Sequence, residues 1–216
     1  MSKIQLEAKE YATTFVDGTR EAEIVTIPAT GILDPKVGTF SIWIQGLASA
    51  PLNSVILDLD GLAIGIDGSG KLYVAHPGGS LQSQYSISSL VNRDMLTIRW
   101  SIVCLSLSVN GAEVASLSNP TLPVEFGDLI YVGSNKLGQG HINTVIGELH
   151  IASAFRNDIE LLNSYQSGEP SQRDQYTTCL LTFDGTLRDK TRQFEVLSNT
   201  PSTGYISWSD LNIGYK

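Results

Sequence analysis

Asp58 and Asp60 stand two residues apart at the end of an apolar run. Two carboxylates at that spacing on a strand point to one side, as a glycosidase needs when it brackets a scissile bond with acids about 5–5.5 Å apart for retention. The run continues Gly61-Leu62-Ala63 without a third acid, so a strand end entering a turn is the simpler reading. With Asp67 the pair also supplies hard oxygen donors that suit calcium, but no D-x-D-x-D-G loop closing on a glutamate follows, which excludes an EF-hand. A metal site at a loop rim would draw on separated segments: Asp60 and Asn143 are its candidates, with Asn135 as a further donor. No cofactor is required, and calcium is the one ion these residues invite.

His76, His141 and His150 are scattered and lack the HExxH spacing. No G-x-S-x-G elbow, P-loop or dinucleotide fingerprint occurs, because the glycines of Gly65-Ile66-Asp67-Gly68-Ser69-Gly70 fall between strand-like runs and make turns. No catalytic residue is assigned, and the chain is read as a non-enzyme. Sugar recognition asks for less: an aromatic ring against a sugar face and planar polar groups on its hydroxyls. Tyr73, and Tyr85 between Gln84 and Ser86, can supply rings. His76 in the loop-like stretch His76-Pro77-Gly78-Gly79-Ser80, and Asn135, Gln139 and His141 in or beside the glycine-rich segment 136–143, can supply polar groups. Trp43 and Trp100 read as core, and His150, between Leu149 and Ile151, as an outward-facing strand residue.

These side chains must be carried by strands. Short apolar or alternating runs recur at 10–16, 22–27, 38–46, 53–59, 61–67, 70–75, 83–87, 94–100, 102–109, 112–117, 128–133, 143–154 and 177–184, punctuated by Gly, Pro, Asn and Asp. Asp67-Gly68-Ser69-Gly70 and Asn110-Gly111 tolerate positive φ and predict tight hairpins. In the second hairpin Leu105, Leu107 and Val109 alternate with Ser106 and Ser108, so the serines face water or a second layer. One short helix is predicted: Asn157 caps it, Glu160 completes a capping box, Ile159, Leu161, Leu162 and Tyr165 form its stripe, and Gly168 ends it. The polar stretch 166–176 reads as a surface connection.

The 216 residues are 42% hydrophobic and 17% charged, enough to bury a core as a single all-β unit. A net charge of −8 without a basic cluster argues against nucleic acid. No apolar run approaches the length that spans a bilayer, and the start MSKIQLEAKEYATTF has no apolar signal core, so synthesis in the cytoplasm without a signal peptide is expected. Cys104 and Cys179 each sit in a strand-like run and predict buried thiols; spacing alone leaves their pairing open.

Taken in order, 38–44 (GTFSIWI), 61–72 (GLAIGIDGSGKL), 105–111 (LSLSVNG), 130–134 (IYVGS) and 146–151 (IGELHI) resemble the strands of laminin-G-like domains of the concanavalin-A-like lectin-glucanase superfamily. The resemblance implies a two-sheet antiparallel jelly-roll sandwich with one short helix over residues 1–190. Residues 191–216 would add a C-terminal strand extension, packed on the same domain or leading to a following module. It also implies a carbohydrate-binding face or rim. The segments 13–20 (TTFVDGTR), 183–187 (FDGTL) and 205–209 (YISWS) are similar to modules of bacteriophage and prophage tail structural proteins. The expected function is therefore non-catalytic recognition of bacterial-surface carbohydrate within a virion. The partners are that carbohydrate or other virion subunits, with a homo-oligomer compatible and no membrane insertion. A glycan-cleaving enzyme of the same fold and a purely architectural virion domain are the alternatives.

Overall fold

The computed structural model describes residues 24–142, 144–168, 172–182 and 197–199. Two antiparallel sheets pack face to face. The seven-stranded sheet is built from β1 (Ile24–Pro28), β3 (Val55–Asp58), β4 (Ala63–Ile66), β5 (Lys71–His76), β6 (Gly79–Ser86), β10 (Leu129–Val132) and β13 (Leu197–Asn199), in the order β13-β1-β10-β3-β4-β5-β6. The six-stranded sheet contains β2 (Val37–Gln45), β7 (Arg93–Ser101), β8 (Cys104–Val109), β9 (Ala112–Ser118), β11 (Val145–Ala152) and β12 (Thr177–Thr182), in the order β12-β11-β2-β7-β8-β9. One helix, α1 (Asp158–Ser167), follows β11. The strand expected at 10–16 lies outside the described residues, as do all but three residues of the expected extension 191–216.

Alternation explains the layering. Phe40, Ile42 and Ile44 of β2, Leu96, Ile98 and Trp100 of β7 and Leu105, Leu107 and Val109 of β8 face the opposite sheet, where Ile64, Ile66, Leu72, Val74, Ile130 and Val132 meet them in one apolar cluster. Both predicted hairpins form. Asn110 and Gly111 take φ of 53° and 80°, the mirror-image turn that matches strand twist, and Gly70 takes 73° at the end of the other. β6 begins four residues earlier than expected: Gly79 pairs with His76, so the stretch taken for a loop is a tight turn through Pro77 and Gly78.

The outer face of the six-stranded sheet is not solvent. Thr39, Ser41, Thr97, Ser106 and Ser108 are buried there beneath a second layer made by residues 153–168 and 172–177. Arg99 holds that layer down: buried itself, it donates to Ser106 Oγ, to the Arg156 carbonyl and, at 2.6 and 3.1 Å, to Asp158 and Glu113. Trp43 belongs to this layer and not to the inter-sheet core. Its ring stacks on Tyr165 of α1 at 5.8 Å, with the Arg93 guanidinium 4.3 Å from its centroid.

The capping box on Asn157 and Glu160 forms, and Gly168 closes α1 with φ 61°. The stripe is narrower than predicted: Leu161 is buried and Tyr165 stacks on Trp43, whereas Ile159 is 71% exposed on the side of the helix turned from the sheet. His150 lies on the outer face as alternation requires, yet it is only 8% exposed, because the second layer covers it. Cys104 and Cys179 are free thiols, the first half-buried and the second buried. They lie on β8 and β12, four strands apart in the sheet, or about 19 Å at ~4.8 Å per strand, beyond the ~7 Å a disulfide spans.

Candidate functional site

The outer face of the seven-stranded sheet lacks such a covering over β4, β5 and β6, where its residues, apart from buried Gly65, are half-buried or exposed. Register places Tyr131, Asp58, Ala63, Ala75 and Ser80 in one lateral row across β10, β3, β4, β5 and β6. A second row runs Val55, Gly65, Tyr73, Gln82. Leu72 and Val74 are in the core, so Tyr73 must point outward, and the same parity puts Tyr131 outward between Ile130 and Val132. Small residues, Ala63, Gly65 and Ala75, form the floor.

Tyr73 uses that floor. A Cβ built on Gly65 would sit 2.6 Å from Tyr73 Cε1 and closer still to the ring's hydroxyl end, so the phenol lies across the bare glycine backbone of β4. Burial, and then the Asp58 and Asp67 carboxylates, raises its pKa. Gly65→Ala should swing the ring away while costing about 1–2 kcal/mol of overpacking. Near-ultraviolet circular dichroism and urea unfolding read the two effects, and an unchanged tyrosine signal would show that the ring does not rest there.

One wall of the face is the loop 133–142. Gly133 N donates to the Ile56 carbonyl and Val55 N to that of Gly140, so the loop leaves and rejoins β3 and arches over Val55. Asn135 is its internal brace: its Oδ1 accepts from Leu137 N at 2.9 Å and Gln139 N at 2.8 Å. His141 closes on the Gly138 carbonyl at 2.7 Å, while the Gln139 side chain is exposed. The loop is tied to the sheet by Lys136, whose backbone N donates to Asp58 Oδ2 and whose Nζ pairs with Asp60 Oδ1 at 2.6 Å. This contact raises the Lys136 pKa, chiefly through the hydrogen bond to Asp60.

The six ligand candidates therefore separate. Tyr73 is in the centre of the face, and Asn135, Gln139 and His141 lie in its wall. His76 sits at the far end of β5, its Nδ1 accepting from Gly78 N and 3.3 Å from the Thr121 carbonyl oxygen. Tyr85 shares parity with buried Leu81 and Ser83 and packs partly into the core, so it presents no ring to this face. Tyr131, Gln82 and Ser80 were missed. The alternation Leu129-Ile130-Tyr131-Val132 marks Tyr131 as outward, but nothing local says that it neighbours Asp58.

Asp58 and Asp60 do not form an acid pair on one strand face. Asp58 ends β3, whereas Asp60 occupies the following turn with φ 53°. Asp58 Oδ1 accepts from Asp60 N and its Oδ2 from Lys136 N. An ammonium thus occupies the position where a cation would meet Asp60, and these acids do not fit calcium as they stand; Asn143 lies outside the described residues. Among the described residues no group of three or more His, Cys, Asp or Glu is arranged to hold a metal ion, and no helix is long and apolar enough to cross a membrane.

Fold and face together define a two-sheet antiparallel β-sandwich with an open, polar outer sheet surface. Among solved structures the chain is similar to a proposed carbohydrate-binding protein from Bacteroides ovatus, at TM-score 0.64 and 18% identity over 82% of this chain and 56% of that one. It is also similar to the binding domain of botulinum neurotoxin DC, solved in complex with rat synaptotagmin II, at TM-score 0.52 and 18% identity over 68% of this chain and 40% of that one. The chain thus spans about half the length of the structures it matches, and identity this low speaks for the fold alone. No protein-family model matches the sequence. Comparison with curated proteins returned no match.

Proposed function

We propose that the chain is a non-catalytic recognition module that binds bacterial-surface carbohydrate on the outer face of its seven-stranded sheet. The observation that carries this reading is the Tyr73 ring laid over Gly65, in the middle of a half-exposed face rimmed by Asp58, Tyr131, Ser80 and Gln82. A ring held against a sheet with polar groups one strand away offers a sugar its stacking surface and its hydroxyl partners at once. The fold likeness to a proposed carbohydrate-binding protein supports the same class. Commitment of Asp58 to two backbone N–H groups, and of Asp60 to Lys136, favours recognition over hydrolysis. The resemblance of three sequence segments to phage-tail modules makes a virion component, assembled in a bacterial cytoplasm, the setting of this activity.

The test is an array of bacterial surface glycans probed with wild type and Tyr73→Ala, with released sugar assayed in the same wells. Saturable binding without release, weakened about tenfold or more in the variant, which is ~1.4 kcal/mol, is expected. Sugar release would make the chain a glycan-cleaving enzyme. Binding that ignores Tyr73 would move the site elsewhere, and no binding to any glycan would leave an architectural role.

A further inference from the structure

Around the Tyr73 face stand three carboxylates, Asp58, Asp60 and Asp67, and two ammoniums, Lys71 and Lys136. Only one of the two cations is neutralised in place: Lys136 Nζ is held by Asp60 at 2.6 Å. Lys71 keeps its charge, with its Nζ drawn towards the β6 edge by Gln84 Oε1 at 2.7 Å. Asp58 and Asp67 are satisfied by backbone N–H groups, which stabilise a carboxylate without cancelling its charge. Both carboxylates act on the phenol of Tyr73, which is why they contribute to raising its pKa. The groups beside the ring on β6, Ser80 and Gln82, are neutral, as is the Tyr131 phenol further across the face. The whole chain adds a background of −8.

We infer that the face selects uncharged glycans and rejects those bearing carboxylate or other anionic groups. This rests on the carbohydrate reading above and specifies the ligand class for that site. A sugar acid brought over Tyr73 meets two carboxylates against the single unpaired ammonium of Lys71, which is drawn off to the β6 edge, whereas a neutral pyranose meets hydroxyl and amide partners at no cost in charge. Discrimination of this kind weakens with ionic strength, because part of it is exerted through water.

The experiment takes the strongest neutral glycan from the array and converts its primary hydroxyls to carboxylates, giving a twin of nearly the same shape with added charge. Wild type should bind the twin about tenfold or more weakly than its parent, with the gap narrowing at high salt. Gln82→Lys, at an exposed position facing Tyr73 across the β5–β6 pair, should narrow the gap further by admitting the acid. Equal binding of parent and twin, or an array on which only acidic glycans bind, each lost in Tyr73→Ala, would overturn the charge selectivity and leave the carbohydrate site standing. An array with no ligand of either kind would remove the carbohydrate reading and this inference with it.

Discussion

Trp100→Ala should lower the unfolding free energy by about 4 kcal/mol, within the ~3–5 kcal/mol that removing a buried large aromatic costs. Trp100 is fully buried between the sheets, and its indole N–H donates to the Asp34 carbonyl at 2.8 Å. Phe126 meets it edge-on at 5.7 Å and 75°. Gly38 of β2 lies directly against the ring, where a Cβ would clash with it. Alanine would leave a cavity walled by two rigid sheets that cannot collapse into it, together with an unpaired carbonyl. A domain of this size has on the order of 5–15 kcal/mol to lose, so the variant should be partly unfolded at moderate urea. Trp100→Phe, which keeps most of the volume and loses the hydrogen bond, should cost about 1–2 kcal/mol. Urea midpoints at constant m-value separate the two; a Trp100→Ala loss below about 1 kcal/mol would mean that the sheets do not close on this ring.

Acid should weaken the fold through His150. Burial, followed by the Arg156 charge, pushes its pKa down to about 4 from 6.5, against a smaller opposing pull from Asp174. The hydrogen-bond chain says why the imidazole is neutral. The Thr177 hydroxyl gives its one hydrogen to Asp174 Oδ1 at 2.8 Å, so it can only accept from His150, 3.1 Å away, and Nε2 carries the ring's proton. Because the folded pKa lies below the unfolded one, the unfolded chain binds the extra proton first. Stability is full above pH 6.5 and falls as pH drops towards 4, by about 3 kcal/mol in total. Burial raises the Asp174 pKa, but hydrogen bonds from Arg156 and Thr177 and the Arg156 charge together outweigh it and hold the pKa below the usual value, so its stabilising charge is lost at lower pH still. His150→Gln, which can still reach Thr177, should flatten the slope of unfolding free energy against pH between 6.5 and 4. An unchanged slope would assign the acid sensitivity to another group.

Twelve of the thirteen predicted runs fall on strands β1 to β12, because strand parity and turn chemistry are local properties. The helix caps were readable for the same reason: Asn157, Glu160 and Gly168 act within four residues of where they stand. The candidate site was legible in pieces. Tyr73 and the braced loop of Asn135, Gln139 and His141 are on one face, but His76 and Tyr85 are not part of its surface. Tyr85 was misplaced because its polar neighbours Gln84 and Ser86 suggested exposure, whereas on β6 it shares parity with buried Leu81 and Ser83 and turns towards the core.

By itself, the sequence determined that this chain alternates, where it turns and which residues its strands commit to an apolar side, since each depends on neighbours within a few positions. Tertiary structure alone decided which face stays open. Tyr131 meets Asp58 from a strand more than seventy residues on, and Lys136 closes on Asp60 across the same interval. The layer of residues 153–168 and 172–177 buries Trp43 and His150 on a side that alternation marks as outward. Parity assigns a side chain to one of two faces; only the packing of distant segments determines whether that face meets water, a second layer or a ligand.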